Sequence, residues 1–299
     1  MGEDGAGAFT RIASGLYLEG LACDAAREVV WYSDVIGGGI HGVKPDGTAV
    51  ASFNAERRWT GGVMVNADGK VLSSGEGGIM WNDPESGKSG WLIEAIDGAP
   101  INGINEMVPD GSGGLYFGTV DLERIICGEP PRPAALYRLA ADRRLTRLAD
   151  GLGFANGLIV DAARRRLYCN ETFSATLAFT IAADGTLADR RRFHVKEDVD
   201  GLALDAAGNL WITGFRSGFF ERVAPDGTVL PRIETPAGAI TQLRFGGRDA
   251  RDMFFTAVPV DGGDTLKEGG AITRADSHLY HGRAPVPGAI MPPVAFALP

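Results

Sequence analysis

The chain has 299 residues, 44% hydrophobic and 22% charged, with a net charge of -9. That balance describes a globular protein and, with no basic stripe, argues against a nucleic-acid partner. No run of 18 apolar residues occurs, so no membrane-crossing helix is expected, and three widely spaced cysteines, Cys23, Cys127 and Cys169, argue against a disulfide framework and fit a reducing cytoplasm. Residues 1–8 are Gly/Ala-rich and acidic, read as a loose tail without a secretory signal's basic and apolar regions. The remainder is expected to form one domain, so that a single unit spans 1–299.

In chain order, a short run repeats. Glu19-Gly20-Leu21-Ala22-Cys23-Asp24 returns as Asn156-Gly157-Leu158-Ile159-Val160-Asp161 and Asp200-Gly201-Leu202-Ala203-Leu204-Asp205. Looser copies begin at Gly61, Asn105 and Gln242, so the lead positions 19, 61, 105, 156, 200 and 242 are 42 to 51 residues apart. A period of this size marks a propeller or repeat array. Each lead run is followed by an apolar second strand: Val29–Ser33, Val71-Leu72, Leu115–Phe117, Leu167–Cys169, Leu210–Ile212 and Met253–Phe255. Asp-Gly pairs at 46–47, 68–69, 110–111, 184–185 and 226–227 sit between apolar runs, as hairpins require. The repeat has room for four strands plus turns, so the expectation is an all-β, six-bladed β-propeller with four antiparallel strands per blade. The segment from residue 8 to 18 is expected to join the last blade.

If each lead residue opens the innermost strand of its blade, the lead side chains ring one mouth of the central channel. The loops after the second strands return to that mouth. The longest, 118–133, carries Glu123, Ile125, Ile126 and three prolines and reads as a lid or pocket wall. Four lead residues, Glu19, Asn105, Asn156 and Asp200, carry oxygen donors. Two carboxylates and two amides converging on one point suit a hard divalent cation, Ca²⁺ above all, with Zn²⁺ or Mn²⁺ as alternatives. Without a cation, Glu19 and Asp200 would repel each other. A divalent ion can polarise a carbonyl, and a ligand carboxylate with one oxygen free can take a proton from water. Asp200 is the first candidate for that base, ahead of Glu19 and Glu171. The reaction class implied is hydrolysis of an activated ester.

These residues resemble the gluconolactonases and senescence marker protein (regucalcin-like) lactonases over nearly the whole chain. The carriers are Glu19-Gly20, Asn105 in Gly103-Ile104-Asn105-Glu106, Phe154-Ala155-Asn156-Gly157-Leu158, and Asp200 to Asp205 followed by Gly208-Asn209-Leu210-Trp211. The resemblance implies a six-bladed propeller with a divalent metal in the channel, held at positions matching Glu19, Asn105, Asn156 and Asp200, with Asp200 as general base. Two departures stand out: Asn105 is followed by Glu106 where the family often has Asp, and Gly103-Ile104 stand where sugar-lactone enzymes use an Arg. Losing that guanidinium removes a fork suited to sugar hydroxyls, so a lactone or aryl ester less polar than a sugar lactone is expected. Glu106, Asp121, Ile125, Glu171, Phe173, Phe215 and Arg216 are the expected substrate contacts. An organophosphate hydrolase on the same scaffold, or a non-catalytic metal-stabilised binding propeller, are the alternatives. A monomer or weak dimer acting on a small molecule is expected.

Other motifs carry less. Gly37-x-Gly39-x-x-Gly42 matches a dinucleotide fingerprint as a string, but a Pro-Asp-Gly turn follows where a helix is needed. Gly87-Lys88-Ser89 reads as a hairpin. No Gly-x-Ser-x-Gly elbow supports a serine nucleophile. His41, His194, His278 and His281 read as edge or surface residues, and Cys169 as packing.

Overall fold

The computed structural model describes residues 9–57, 59–130 and 132–299; the expected N-terminal tail, 1–8, lies outside them. Every strand pair in its main sheets is antiparallel, and the architecture is an all-β propeller. Four sheets stand alone with four strands each. They open on the inner strands Leu18–Asp24, Thr60–Val65, Ile104–Pro109 and Ala155–Asp161. A small hairpin pairs Ala95–Ile96 with Ala99–Pro100, and the remaining strands form one eight-stranded sheet containing the inner strands Val199–Leu204 and Ala239–Gly246. This corrects the expectation of six separate sheets. The two halves of the large sheet are joined by one register pair, Gly214↔Ile240. The inner strands contact one another in cyclic order, with Ala239–Gly246 returning to Leu18–Asp24.

Local chemistry explains the turns. The glycines of all five Asp-Gly pairs have φ between 79° and 96°, the left-handed region that favours glycine. Between turns, the second strands bury their β-branched and aromatic side chains: Trp31, Tyr116, Tyr168, Trp211 and Phe255 are almost fully enclosed. The core is therefore a set of inter-blade clusters rather than one central mass, because the ring's centre is a channel.

Two devices close the ring. Thr10–Gly15 pairs with Ser277–Arg283, so the N-terminal strand completes the sheet that holds the last strands of the chain. Inside, polar residues of second strands bind the next inner strand. Ser74 Oγ donates to Asn105 O at 2.8 Å, Asn170 Nδ2 to Asp200 O at 2.7 Å, Thr213 Oγ1 to Thr241 O at 2.9 Å, and Thr256 Oγ1 to Glu19 O at 2.8 Å. The last bond links the end of the ring to its beginning. At the opposite face the C-terminal segment crosses the channel as a strap. Ala289 N donates to Leu204 O at 2.9 Å and Val294 N to Val65 O at 3.1 Å, while Asn66 Oδ1 accepts from Phe296 N at 2.9 Å. Among the described residues no helix is long and apolar enough to cross a membrane.

Candidate active site

Each inner strand carries a register shift at its lead residue: between Leu18 and Leu21, Thr60 and Val63, Ile104 and Met107, Ala155 and Leu158, Val199 and Leu202, and Ile240 and Gln242. A bulge bends the strand and re-aims its side chain. Here the repeated bulge turns lead side chains into the channel. Glycines at or beside lead residues let neighbouring inner strands pack backbone to backbone. A Cβ on Gly20 would lie 2.1 Å from Gly61 O, one on Gly61 2.1 Å from Asn105 O, and one on Gly157 2.2 Å from Asp200 O.

Glu19, Asn105, Asn156 and Asp200 come together in one pocket at the mouth, with Tyr17, Thr172, Phe154, Phe173, Phe215, Val35, Leu122, Ile125, Leu266 and Lys267 around them. The four polar residues are at most 9% exposed. Asn105 Nδ2 donates to Glu19 Oε1 at 3.1 Å. Asn156 hydrogen-bonds Asp200 and donates from Nδ2 to Thr172 Oγ1 at 3.1 Å, while Thr172 Oγ1 donates to Val199 O at 2.9 Å. With both amide nitrogens engaged by protein oxygens, the two carbonyl oxygens are the ends left to serve as ligands.

The electrostatics of this pocket are unbalanced. Burial pushes the Glu19 carboxyl up to about 7, against the bond from Asn105, with Glu106 raising it further. Burial first and Glu19 second hold Asp200 well above the usual carboxylate range. Tyr17 is held well above the ordinary phenol value by burial and by the two carboxylates, so its hydroxyl remains a neutral donor. Two like charges desolvated together are the condition that a bound cation relieves. Among the described residues no group of three His, Cys, Asp or Glu side chains gathers to hold a metal, so any cage here needs its amides.

The expected substrate contacts divide. Ile125, Phe173 and Phe215 line the pocket. Glu106 does not: it lies deeper in the channel, where its carboxylate accepts from Arg244 Nη2 at 3.1 Å, from Met107 N at 2.9 Å and from Gln242. Asp121 precedes the short helix Leu122–Ile126, pairs with Arg132 Nε at 3.4 Å and lines a different cavity. Glu171 Oε1 accepts from Gly153 N at 2.7 Å and faces Arg190, so it is occupied away from the pocket. Arg216 lies over Phe215 at 4.9 Å and pairs with Asp264; it braces the wall from behind.

The wall is aromatic: Phe173 meets Phe215 edge-on at 5.6 Å and Phe154 at 6.4 Å. Two short helices, Leu122–Ile126 from the long loop and Gly262–Lys267, touch each other and bury Leu122, Ile125 and Leu266 against it. The Arg of sugar-lactone enzymes has no room: a Cβ on Gly103 would lie 2.3 Å from the Trp59 ring. Tyr17, Thr172, Leu266 and Lys267 escaped sequence reasoning. Tyr17 had a signal, since it stands two residues before Glu19. Leu266 and Lys267 lie on the helix Gly262–Lys267, outside the repeat. The histidines lie elsewhere: His41 bonds Ser52 and Gly38, and His281 faces Asp252.

A closed ring of antiparallel sheets with a buried carboxylate–amide pocket at one mouth defines a propeller with a polar channel site. The chain belongs to the family described as SMP-30/Gluconolactonase/LRE-like, whose pattern matches residues 18–258. It is 27% identical to a pentonolactonase, XacC, of Haloferax volcanii over 80% of this chain and 81% of that one. It is also 27% identical to a 6-deoxy-6-sulfogluconolactonase of Pseudomonas putida over 77% of this chain and 79% of the relative. The crystal structure of a regucalcin from Agrobacterium tumefaciens, described as a calcium-binding protein, superposes with a TM-score of 0.80 at 20% identity over 97% of both chains; that likeness concerns the fold.

Proposed function

We propose that the pocket is the active centre of a divalent-metal-dependent lactonase that opens a lactone, or an aryl ester, less polar than a sugar lactone. The observation that carries this reading is the convergence of Glu19, Asn105, Asn156 and Asp200 from four bulged inner strands on one buried pocket. Family membership and two relatives named as lactonases support the reaction class. The eight-stranded sheet reads as two blades joined at one residue pair, which gives six blades, and the cation would sit in their channel.

The donor set fits such a cation: two carboxylates and two amide carbonyls are hard oxygen ligands, and the buried negative charge has no compensating cation among the described residues of the pocket floor. Ca²⁺ is the preferred ion, with Zn²⁺ or Mn²⁺ as alternatives. The cation would offset the two carboxylates and polarise the ester carbonyl. Asp200 then acts as general base. Water bonds to the carbonyl carbon as its proton passes to an Asp200 oxygen, the ring C–O bond breaks, and the proton ends on the departing alcohol oxygen. Asn156, itself held by Thr172, orients Asp200, and the neutral Tyr17 hydroxyl is a donor available to the developing negative charge. The Phe154, Phe173 and Phe215 wall keeps bulk water from the reacting atoms and matches an apolar ring.

The test is a panel of gluconolactone, dihydrocoumarin, aryl esters and a phosphotriester, with and without chelator. Dihydrocoumarin turnover that disappears with chelation and returns with Ca²⁺ is expected. Asp200→Asn is expected to lower kcat roughly 10²-fold or more. A strong preference for gluconolactone would sink the apolar-substrate reading, and turnover indifferent to chelation would sink the metal.

A further inference from the structure

We infer that Lys267 reads an anionic group on the substrate, so that the pocket takes a lactone with an apolar ring bearing one carboxylate, sulfonate or phosphate; this rests on the lactonase reading above. Lys267 ends the helix Gly262–Lys267 and is the one cationic side chain among the described residues lining the pocket. Its ammonium stands 4.6 Å from the centroid of the Phe173 ring and makes no salt bridge among the described residues. The acid one turn earlier on its own helix, Asp264, feels the Lys267 charge without a salt bridge to it, and its two oxygens are held by Arg216, whose Nε donates to Oδ2 at 2.8 Å while Nη2 meets Oδ1. Glu268, which follows, is exposed. The ammonium is therefore available at the mouth, on the rim of an aromatic wall whose other nearby cation, Arg216, is paired with Asp264.

Phe173 beneath it is held in an unusual backbone state. Its φ is 72°, a region that bulky residues avoid. Its N–H donates to Glu197 O at 2.7 Å, and Thr172 N donates to Phe154 O at 3.0 Å. The loop thus fixes a ring where the pocket needs a flat wall, and Lys267 marks one edge of that wall. Orientation follows from charge. With a cation at the floor offsetting Glu19 and Asp200 and taken up by the lactone carbonyl, Lys267 is the positive group left at the mouth, so an anionic substituent turns outward to it.

The experiment compares dihydrocoumarin with a dihydrocoumarin carrying a carboxylate on its aromatic ring, using the full chain with Ca²⁺. Lys267→Gln is expected to lower kcat/KM for the carboxylated lactone about tenfold more than for the neutral one, mainly through KM. Lys267→Arg restores most of that difference, and added salt narrows the wild-type preference. Equal losses on both lactones would overturn the proposal and leave Lys267 as an anchor of its helix on Phe173; so would a wild type that favours the neutral lactone. Should neither lactone turn over, the lactonase reading falls. Calorimetric titration with the ring-opened carboxylated hydroxy acid still judges Lys267: binding about tenfold weaker in Lys267→Gln sustains its role, and equal or undetectable binding overturns it.

Discussion

Replacing Glu19 by Gln separates the cost of burying its charge from the use of that charge. In the metal-free protein, burial lifts the carboxyl from 4.5 to about 7. The fold keeps this proton after the unfolded chain has released it, so the stabilising contribution is complete below pH 4.5 and is lost as pH rises through about 7. At about 1.4 kcal/mol per pH unit, that interval corresponds to about 3 kcal/mol. Gln has the same length and its carbonyl can keep the contact from Asn105 Nδ2, but it has no charge to bury. In chelator at pH 8, Glu19→Gln is therefore expected to be more stable than wild type by up to about 3 kcal/mol, and at pH 5 most of the difference should be gone. Urea unfolding at pH 5, 6.5 and 8, with two-state behaviour checked by two probes, measures it. With saturating Ca²⁺ the order reverses, because the wild type gains binding energy that the variant has lost. A metal-free variant no more stable than wild type at pH 8, or an advantage independent of pH, would refute the claim that Glu19 is a desolvated carboxylate awaiting a counter-charge.

Two further substitutions probe how the site is held. Gly157→Ala places a Cβ 2.2 Å from Asp200 O, so it should spread two inner strands and weaken Ca²⁺ binding at least tenfold. Gly153→Ala, where the nearest atom would be 3.8 Å away, serves as the control, and calorimetry on both decides. Arg244→Met leaves the Glu106 carboxylate buried without its cation and is expected to cost about 3–5 kcal/mol in denaturant unfolding. Adding Glu106→Gln should recover much of that loss; a double variant no better than the single would mean that the pair is not the source. Loss of turnover in Asp200→Asn with Ca²⁺ affinity within tenfold of wild type would assign Asp200 to proton transfer, whereas parallel losses would assign it to ligation alone.

Much of the fold was legible in the sequence because it is written in short-range chemistry. The Asp-Gly pairs predicted turns, and all five glycines adopt the left-handed backbone that an Asp-Gly turn demands. The repeated lead run predicted inner strands that meet at one mouth, since a side chain at an equivalent position in each unit is carried to an equivalent place in a ring. The glycine beside Glu19, Asn156 and Asp200 was readable as a close backbone approach, and the Gly20, Gly157 and Gly201 contacts bear it out.

Partnership was not legible. Glu106 follows Asn105 directly, yet the bulge sends one to the pocket and the other to Arg244, 138 residues away in sequence. Nothing local told that Trp59 fills the space beside Gly103, nor that Asp121, Glu171 and Arg216 are engaged outside the pocket. Lys267 belongs to a stretch with no repeat to announce it. The residue pattern determined the strands, the turns and the ring of oxygen donors, because each depends on backbone preferences and spacing along the chain. Only the tertiary structure decided which charges are compensated and which remain for a ligand, because compensation depends on distances between strands that no local pattern encodes.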